Sequence, residues 1–189
     1  MKLPPDSPLS DVIAAVAARL HVDLDVEAGA KGAEVGGLPL PDDAPGWHVE
    51  AAVLRALAPK HVLFLCVANS ARSQLAEGLA RSMAPGSVKI SSAGSVPTQV
   101  RPQAINALAE AGIDISQHRS TGLDEVERPV DAVITLCAEE ACPVWLEKAW
   151  RLHWGLPDPA GAGDNPEEEM EAFRGVRDEL RRRFEVLFG

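Results

Sequence analysis

The sequence is poor in cysteine, in aromatic residues and in positive charge. Among 189 residues there are three cysteines and no tyrosine, and 18 basic against 28 acidic residues give a net charge of −10. A surface of that sign repels the phosphates of nucleic acids, so we expect no nucleic-acid partner. Three cysteines, an odd number, argue against a framework of structural disulfides. The thiols are therefore expected to be reactive or to bind a metal.

Long apolar runs are missing as well. No stretch approaches the length of a membrane span, and the segment MKLPPDSPLSDV lacks the charged-then-apolar order of a signal peptide. We therefore expect no membrane partner and a cytoplasmic location. The chain is 46% hydrophobic, which is enough for one enzyme-sized core with a small appendage.

The first 58 residues have a pattern of their own. Apolar residues recur at helical spacing from Ser10 to Leu20, alternate in a brief strand pattern from Val22 to Val26, and return to a helical pattern from Trp47 to Leu57. The glycine- and proline-rich stretch GAKGAEVGGLPLPDDAPG interrupts them. We predict a small, mainly helical N-terminal extension over residues 1–58, with a loose middle and no chemistry of its own.

Along residues 59–189, segments typical of strands alternate with segments typical of helices. The run HVLFLC is almost wholly apolar, as in a strand buried on both faces of a parallel sheet. Four segments have strand character: His61–Cys66, Ser87–Ser92, Asp131–Cys137 and Trp150–Trp154. This alternation predicts a doubly wound α/β domain, in which ligands bind beyond the carboxyl ends of the strands. Two cysteines stand at such ends.

The segment CVANSARS, from Cys66 to Ser73, lies between a buried strand and the first turn of a helix. Free N–H groups at a helix N-terminus attract negative charge, so this loop can wrap a tetrahedral oxyanion and favour the thiolate form of Cys66. Arg72 can offer two parallel donors to two oxygens of the anion. The predicted oxyanion-binding residues are the rest of the loop together with that arginine: Val67, Ala68, Asn69, Ser70, Ala71, Arg72 and Ser73.

Two side chains of this loop have predicted supporting roles. We expect the hydroxyl of Ser73 to hydrogen-bond to the Cys66 thiolate and Asn69 to hold the shape of the loop. The alternatives are that Cys66 is an inert core residue and that Ser73 merely caps the helix.

CVANSARS followed by QLAEGLA resembles the phosphate-binding loop and first helix of the low-molecular-weight protein tyrosine phosphatases and their arsenate reductase relatives. The resemblance covers about residues 60–189. It implies a three-layer α/β/α domain with a four-stranded parallel sheet, and an aspartate general acid in an Asp-Pro pair. LPDPAG presents Asp158 at that place, where the alternative role is that of a turn residue between prolines.

Two further cysteines favour a reductase over a phosphatase. Hydrolysis of a phosphate ester needs only Cys66, Arg72 and Asp158, whereas LCAEEACPVW adds Cys137 and Cys142. Together with HWGLPDPAG and FRGVRDELRRRF, this resembles the thioredoxin-coupled arsenate reductases of arsenic detoxification. The resemblance implies a relay in which Cys66 attacks arsenate, Cys137 attacks Cys66 as arsenite leaves, and Cys142 moves the disulfide outward for reduction.

Several alternatives remain open at the level of sequence. Ala160 and Gly161 follow the Asp-Pro pair where phosphatases of this family carry aromatic residues, which favours a small anion over an aryl ester. A phosphatase acting on phosphate monoesters is the main alternative, and a non-catalytic oxyanion-binding module is a third. The short interval between Cys137 and Cys142 leaves thioredoxin, mycothiol and bacillithiol open as reductants.

Metal binding is not predicted. A zinc site made by Cys137, Cys142 and His153 would lack a fourth ligand. Some relatives bind a potassium ion behind the loop, and although Asn69, Glu77 and Ser92 match ligand positions, an arginine and a threonine in QHRST stand where small polar and acidic groups are expected. We therefore predict neither a metal nor a cofactor.

Overall fold

The computed structural model describes residues 9–20, 27–29, 32–41, 43–138 and 143–189. Its contacts divide the chain into two compact units, Met1–Ala58 and Pro59–Gly189. The predicted strand from Val22 to Val26 and the predicted site residue Cys142 lie outside the described residues. None of the helices in the described part of the chain combines the length and the apolar composition that a bilayer crossing requires.

The N-terminal unit contains two helices and a small antiparallel sheet. The helices are α1 (Leu9–Leu20) and α2 (Gly46–Ala56), and the strands, in sheet order, are β1 (Glu27–Gly29), β2 (Gly32–Val35) and β3 (Leu38–Pro39). The stretch expected to be loose is thus partly strand. Gly36 and Gly37 have φ angles of 57° and 80°, which allow the two-residue turn between β2 and β3. Gly36 also touches α2 so closely that a Cβ there would lie 2.6 Å from the Cβ of Ala56.

The second unit is built on a four-stranded parallel sheet flanked by helices, which confirms the predicted fold class. The strands are β4 (His61–Cys66), β5 (Lys89–Gly94), β6 (Ala132–Cys137) and β7 (Trp150–Leu156), in the order β5-β4-β6-β7. The helices are α3 (Arg72–Met83), α4 (Pro102–Ala109) and α5 (Pro166–Phe188). The central strand β4 is buried along its whole length, as its apolar sequence predicts.

The two faces of the sheet have different cores. On one face Phe64 and Trp154 pack against Phe184 of α5. On the other face Leu63, Leu65 and Val133 belong to a cluster completed by Ala93, Val126, Val130 and Trp145. Side chains of a strand alternate between faces, so even-numbered residues of β4 lie toward α5 and odd-numbered residues lie toward the second cluster.

Candidate active site

The loop between β4 and α3 is fixed from outside by the chain that follows β5. Backbone N–H groups of Val96, Thr98 and Arg101 donate to three carbonyl oxygens of the loop, those of Val67, Ala68 and Ser70, at 2.9–3.0 Å. Gly94, the last residue of β5, lies against the same loop, where a Cβ would stand 2.4 Å from the Val67 carbonyl oxygen. A glycine is therefore required where the two segments meet.

Asn69 is the centre of the loop's hydrogen bonds. It is fully buried and its φ angle is 47°, a left-handed conformation that is costly unless the surroundings hold it. Its Oδ1 accepts from the N–H of Thr121 at 2.7 Å and from Gln74 Nε2 at 3.0 Å. Its carbonyl oxygen accepts from Ser120 Oγ at 2.6 Å. These bonds stabilise the strained residue and with it the curvature of the loop.

The sulfur of Cys66 is buried and has two neighbouring polar groups. Cys66 is 3% exposed, its Sγ lies 2.9 Å from Ser73 Oγ, and the N–H of Asn69 donates to it at 3.2 Å. Ser73 Oγ accepts from Asn69 Nδ2 at 2.8 Å, which leaves its own proton to be donated to the sulfur. Ala71 occupies the N-cap position of α3, so the alternative that Ser73 caps the helix is wrong.

The same chain of hydrogen bonds continues away from the sulfur to an ion pair between the buried Glu77 and the exposed Arg81. Asn69 Nδ2 also donates to Ser92 Oγ at 2.7 Å, and Ser92 donates to Glu77 Oε2 at 2.5 Å. The other oxygen of Glu77 pairs with Arg81 at 2.5 Å. The carboxylate of Glu77, considered above as a potassium ligand position, thus already has a cationic partner in Arg81.

A second branch leads through Gln74 to His118. His118 Nδ1 lies 3.0 Å from Gln74 Oε1, and Gln74 donates back to Asn69. Burial lowers the pKa of His118, and the nearby Arg81 lowers it further, while Glu77 and Asp114 raise it. The neutral imidazole therefore fits this position best.

Arg72 and Asp158 meet at the mouth of the loop. Arg72 Nη2 donates to Asp158 Oδ2 at 2.9 Å, and Nη1 donates to the Leu156 carbonyl oxygen at 3.1 Å. The arginine side chain is 4% exposed and the aspartate side chain 43%. Asp158 also accepts from the N–H of Ala160 at 3.0 Å, so it makes a turn as well as the ion pair. An anion entering the loop would take the place of this carboxylate on Arg72.

Cys137 ends the strand next to β4 and is 1% exposed. Leu65 pairs with Thr135, so Cys137 lies one residue beyond the position opposite Cys66. Strand geometry puts the two Cα atoms roughly 6 Å apart, within the roughly 4.4–6.8 Å that a disulfide spans. Regular alternation along β6 would put the Cys137 side chain on the face of Thr135 and Val133, opposite that of Cys66, but the pairing of β6 with β7 is irregular between Thr135 and Cys137.

The family described as low molecular weight phosphotyrosine protein phosphatase matches residues 61–189. The chain belongs to this family. An arsenate reductase of Halalkalibacterium halodurans is 41% identical over 131 residues, which cover 68% of this chain and 94% of that protein. The crystal structure of an arsenate reductase from Archaeoglobus fulgidus is 28% identical with a TM-score of 0.55, and the alignment covers 66% of this chain and 98% of the other. A structure of an arsenate reductase in the phosphate binding state is 35% identical with a TM-score of 0.54, covering 68% and 95%.

Several residues that support the phosphatase-family loop are absent from the sequence-based prediction. Gln74, just after the loop, and Ser120 donate to Asn69, His118 contacts Gln74, and Gly94 makes room for the loop. The ion pair of Glu77 and Arg81 could have been found from the sequence, because the two residues lie one helical turn apart. His118, Ser120 and Gly94 act through contacts between segments that are distant in sequence, which a single sequence does not reveal.

Proposed function

We propose that this protein reduces arsenate to arsenite. The observation that carries the proposal is the position of a second buried thiol, Cys137, at the end of the strand paired with the one that ends at Cys66. Hydrolysis of a phosphate ester does not require a second thiol. The relatives described above are named arsenate reductases, and one of them is described in a phosphate binding state.

The first step uses the loop. Arsenate binds to the backbone N–H groups of residues 67–73 and to the two donors of Arg72, which Asp158 releases. The Cys66 thiolate, with Ser73 donating to it until it reacts, attacks arsenic, and Asp158 protonates the departing oxygen. Because the donors are fixed before the substrate arrives, little reorganisation is needed as charge shifts onto the oxyanion.

The second step transfers two electrons. The thiolate of Cys137 attacks Cys66, a disulfide forms, the bond between sulfur and arsenic breaks, and the electron pair stays with arsenic as arsenite leaves. Cys142 then attacks Cys137, and the new disulfide is reduced by thioredoxin or by a low-molecular-weight thiol. Such a cycle needs a reducing compartment, which fits the proposed cytoplasmic location.

The family's other activity, hydrolysis of phosphate monoesters, is the rival. The contacts of Cys66, Arg72 and Asp158 support it equally well, because they are the groups that hydrolysis needs. Residues 1–58, which lie outside the family match, we propose to be an accessory unit with no part in either reaction.

The test measures arsenite production with thioredoxin, thioredoxin reductase and NADPH, and separately with mycothiol and with bacillithiol. Cys66→Ser should abolish turnover, whereas Cys137→Ser and Cys142→Ser should abolish arsenite release under multiple turnover but keep phosphate binding. Mass spectrometry after one turnover of Cys142→Ser should find the Cys66–Cys137 disulfide. Full arsenate turnover in Cys137→Ser, or fast cleavage of an aryl phosphate without detectable arsenate reduction, contradicts the proposal.

A further inference from the structure

We propose that Glu169 is a positioning residue that keeps the general acid Asp158 at the mouth of the loop after an anion has taken its place on Arg72. The inference rests on the proposed function, in which Asp158 protonates the oxygen that leaves arsenic. Before an anion binds, Arg72 Nη2 donates to Asp158 Oδ2 at 2.9 Å. That contact is lost when arsenate occupies the guanidinium, so the aspartate needs a second support at the moment it acts.

Glu169, in the first turn of α5, joins helix α4 to the turn formed by residues 158–161, the general-acid turn. Its Oε1 accepts from the backbone N–H of Gly161 at 2.8 Å, and its Oε2 accepts from Gln103 Nε2 at 2.8 Å. Hydrogen bonds to an ionised carboxylate are stronger than hydrogen bonds between neutral groups. One side chain thus ties the general-acid turn to α4 with both of its oxygens.

Helix α4 is itself bound to the oxyanion loop. Gln103 lies two residues after Arg101, and the Arg101 N–H donates to the Ser70 carbonyl oxygen of the loop at 2.9 Å. The contacts of Glu169 therefore connect the general-acid turn to the loop by a route that does not pass through Arg72. An anion that binds to Arg72 displaces none of the groups in this route.

A movement of Gly161 would also move Asp158, because the general-acid turn is short and stiff. The N–H of Ala160 donates to Asp158 Oδ1 at 3.0 Å, and the ring of Pro159 restricts the backbone between them. A cavity of about 360 Å³ lies between this turn and α5, lined by Pro159 and Ala162 together with residues of α5. Close packing therefore does not fix the turn from that side, and the hydrogen bond to Glu169 has to do so.

Glu169 acts through the distance between Asp158 and the leaving oxygen. In the step that it supports, the bond between Cys66 Sγ and arsenic forms and one bond between arsenic and oxygen breaks. The departing hydroxyl group takes the proton of Asp158 and leaves as water. Glu169 itself gives and takes no proton, so its effect should depend entirely on the presence of Asp158.

The experiment measures arsenite formed in a single turnover, with the protein in excess over arsenate and the reaction stopped by rapid quenching. Asp158→Asn should slow the reaction by about 100-fold or more, and Glu169→Ala should slow it by about 10-fold. Phosphate affinity, which reports the loop, should stay within about twofold in Glu169→Ala. Glu167→Ala is the matched control, because it removes the same charge from the same helical turn, where Glu167 pairs with Arg174. It should leave the rate unchanged.

Two double substitutions separate positioning from a purely structural role. In an Asp158→Asn protein, Glu169→Ala should cause no further loss, because the side chain that Glu169 positions is gone. Gln103→Glu places two carboxylates opposite each other and should slow the reaction. Gln103→Glu combined with Glu169→Gln exchanges the two groups, keeps both hydrogen bonds and should restore most of the rate.

An unchanged rate in Glu169→Ala overturns the inference and leaves the reductase proposal standing. So does a loss that is equally large in the Asp158→Asn protein, or one that the exchanged pair does not reverse. If Asp158→Asn reacts at the normal rate, the proposed role of Asp158 and this inference fail together. If the natural protein forms no arsenite, the reductase proposal fails, and the same variants assayed on an aryl phosphate decide the inference, because hydrolysis needs the same acid. If the aryl phosphate is not cleaved either, the inference fails as well.

Discussion

The carboxyl ends of β4 and β6 lie side by side but are held in different ways. After β4, buried side chains and backbone groups from three separate segments bind the loop, and Asn69 alone accepts or donates several of those bonds. After β6, the pairing with β7 becomes irregular between Thr135 and Cys137. One end is held by a network of hydrogen bonds, and the other lies where the pairing of the sheet is interrupted.

The difference follows from what each end is proposed to do. An anion site works best when its dipoles are fixed before the charge arrives, because no energy is then spent on turning them. A sulfur that receives and passes on a disulfide must reach two partners in turn, so its backbone cannot be rigid. Substitutions within the loop after β4, and in the residues that hydrogen-bond to it or pack against it, test this difference.

The largest effect is expected from Arg72→Lys. Lysine keeps the charge but lacks the planar pair of donors that Arg72 offers to two oxygens, so kcat/KM for arsenate should fall by about 100-fold or more. Steady-state kinetics and phosphate titration measure it. The matched control is Arg81→Lys, which keeps the charge beside Glu77 and should change kcat/KM only a fewfold. An unchanged kcat/KM in Arg72→Lys would mean that charge alone matters at the mouth of the loop.

A smaller effect is expected from Gly94→Ala. The new Cβ would lie 2.4 Å from the Val67 carbonyl oxygen and 2.8 Å from the Asn69 nitrogen, and both of these atoms are backbone, so the loop itself must shift. We expect a loss of about 1–3 kcal/mol in the free energy of unfolding and weaker phosphate binding. Denaturant unfolding and calorimetry measure the two quantities.

Gly86→Ala is the control for that substitution, because a Cβ at Gly86 meets nothing within 4 Å. It should leave both stability and phosphate binding unchanged. If Gly94→Ala binds phosphate as tightly as the natural protein, then the loop is not fixed from β5, and the contrast between the two strand ends is wrong.

The parts of the site that sequence predicts well are local. The interval from Cys66 to Arg72, the apolar strand before it and the helix after it all lie within a few turns of chain, and spacing alone identifies them. The face of Cys137 is a different matter, because it depends on the register between β4 and β6. A shift of one residue in that register turns every side chain over, and no feature of the sequence fixes it.

The remaining differences also have physical causes. The strands of the N-terminal unit depend on the positive φ angles of Gly36 and Gly37, which a glycine-rich stretch permits but does not require. Gln74 and Ser120 matter because their side chains donate to Asn69, from 5 and 51 residues further along the chain. Whether Cys142 meets Cys137 stays a prediction from the sequence.

The smallest expected effect concerns His118, which supports the fixed end through Gln74. Burial lowers the pKa of His118 from its ordinary value of 6.5, so the unfolded chain binds a proton more readily than the folded one. Stability from this group is therefore complete above about pH 6.5 and decreases as the pH falls toward the lower, folded-state pKa. Glu77 and Asp114 oppose the shift and Arg81 adds to it. Protonation of His118 adds a positive charge at Nε2, which lies 3.5 Å from Nη1 of Arg81, and this repulsion should disturb the branch that reaches Asn69 through Gln74.

His118→Asn removes the contribution of His118 titration to stability, because the asparagine amide can still donate to Gln74 Oε1 but does not titrate. Urea unfolding followed by tryptophan fluorescence from pH 7.5 to pH 5 should show a flatter dependence of stability on pH in the variant than in the natural protein. At pH 7.5 the two should differ by less than Gly94→Ala does. Identical slopes would show that the loop does not sense this imidazole, and the support of Asn69 would then lie with Thr121 and Ser120, whose bonds do not depend on a proton.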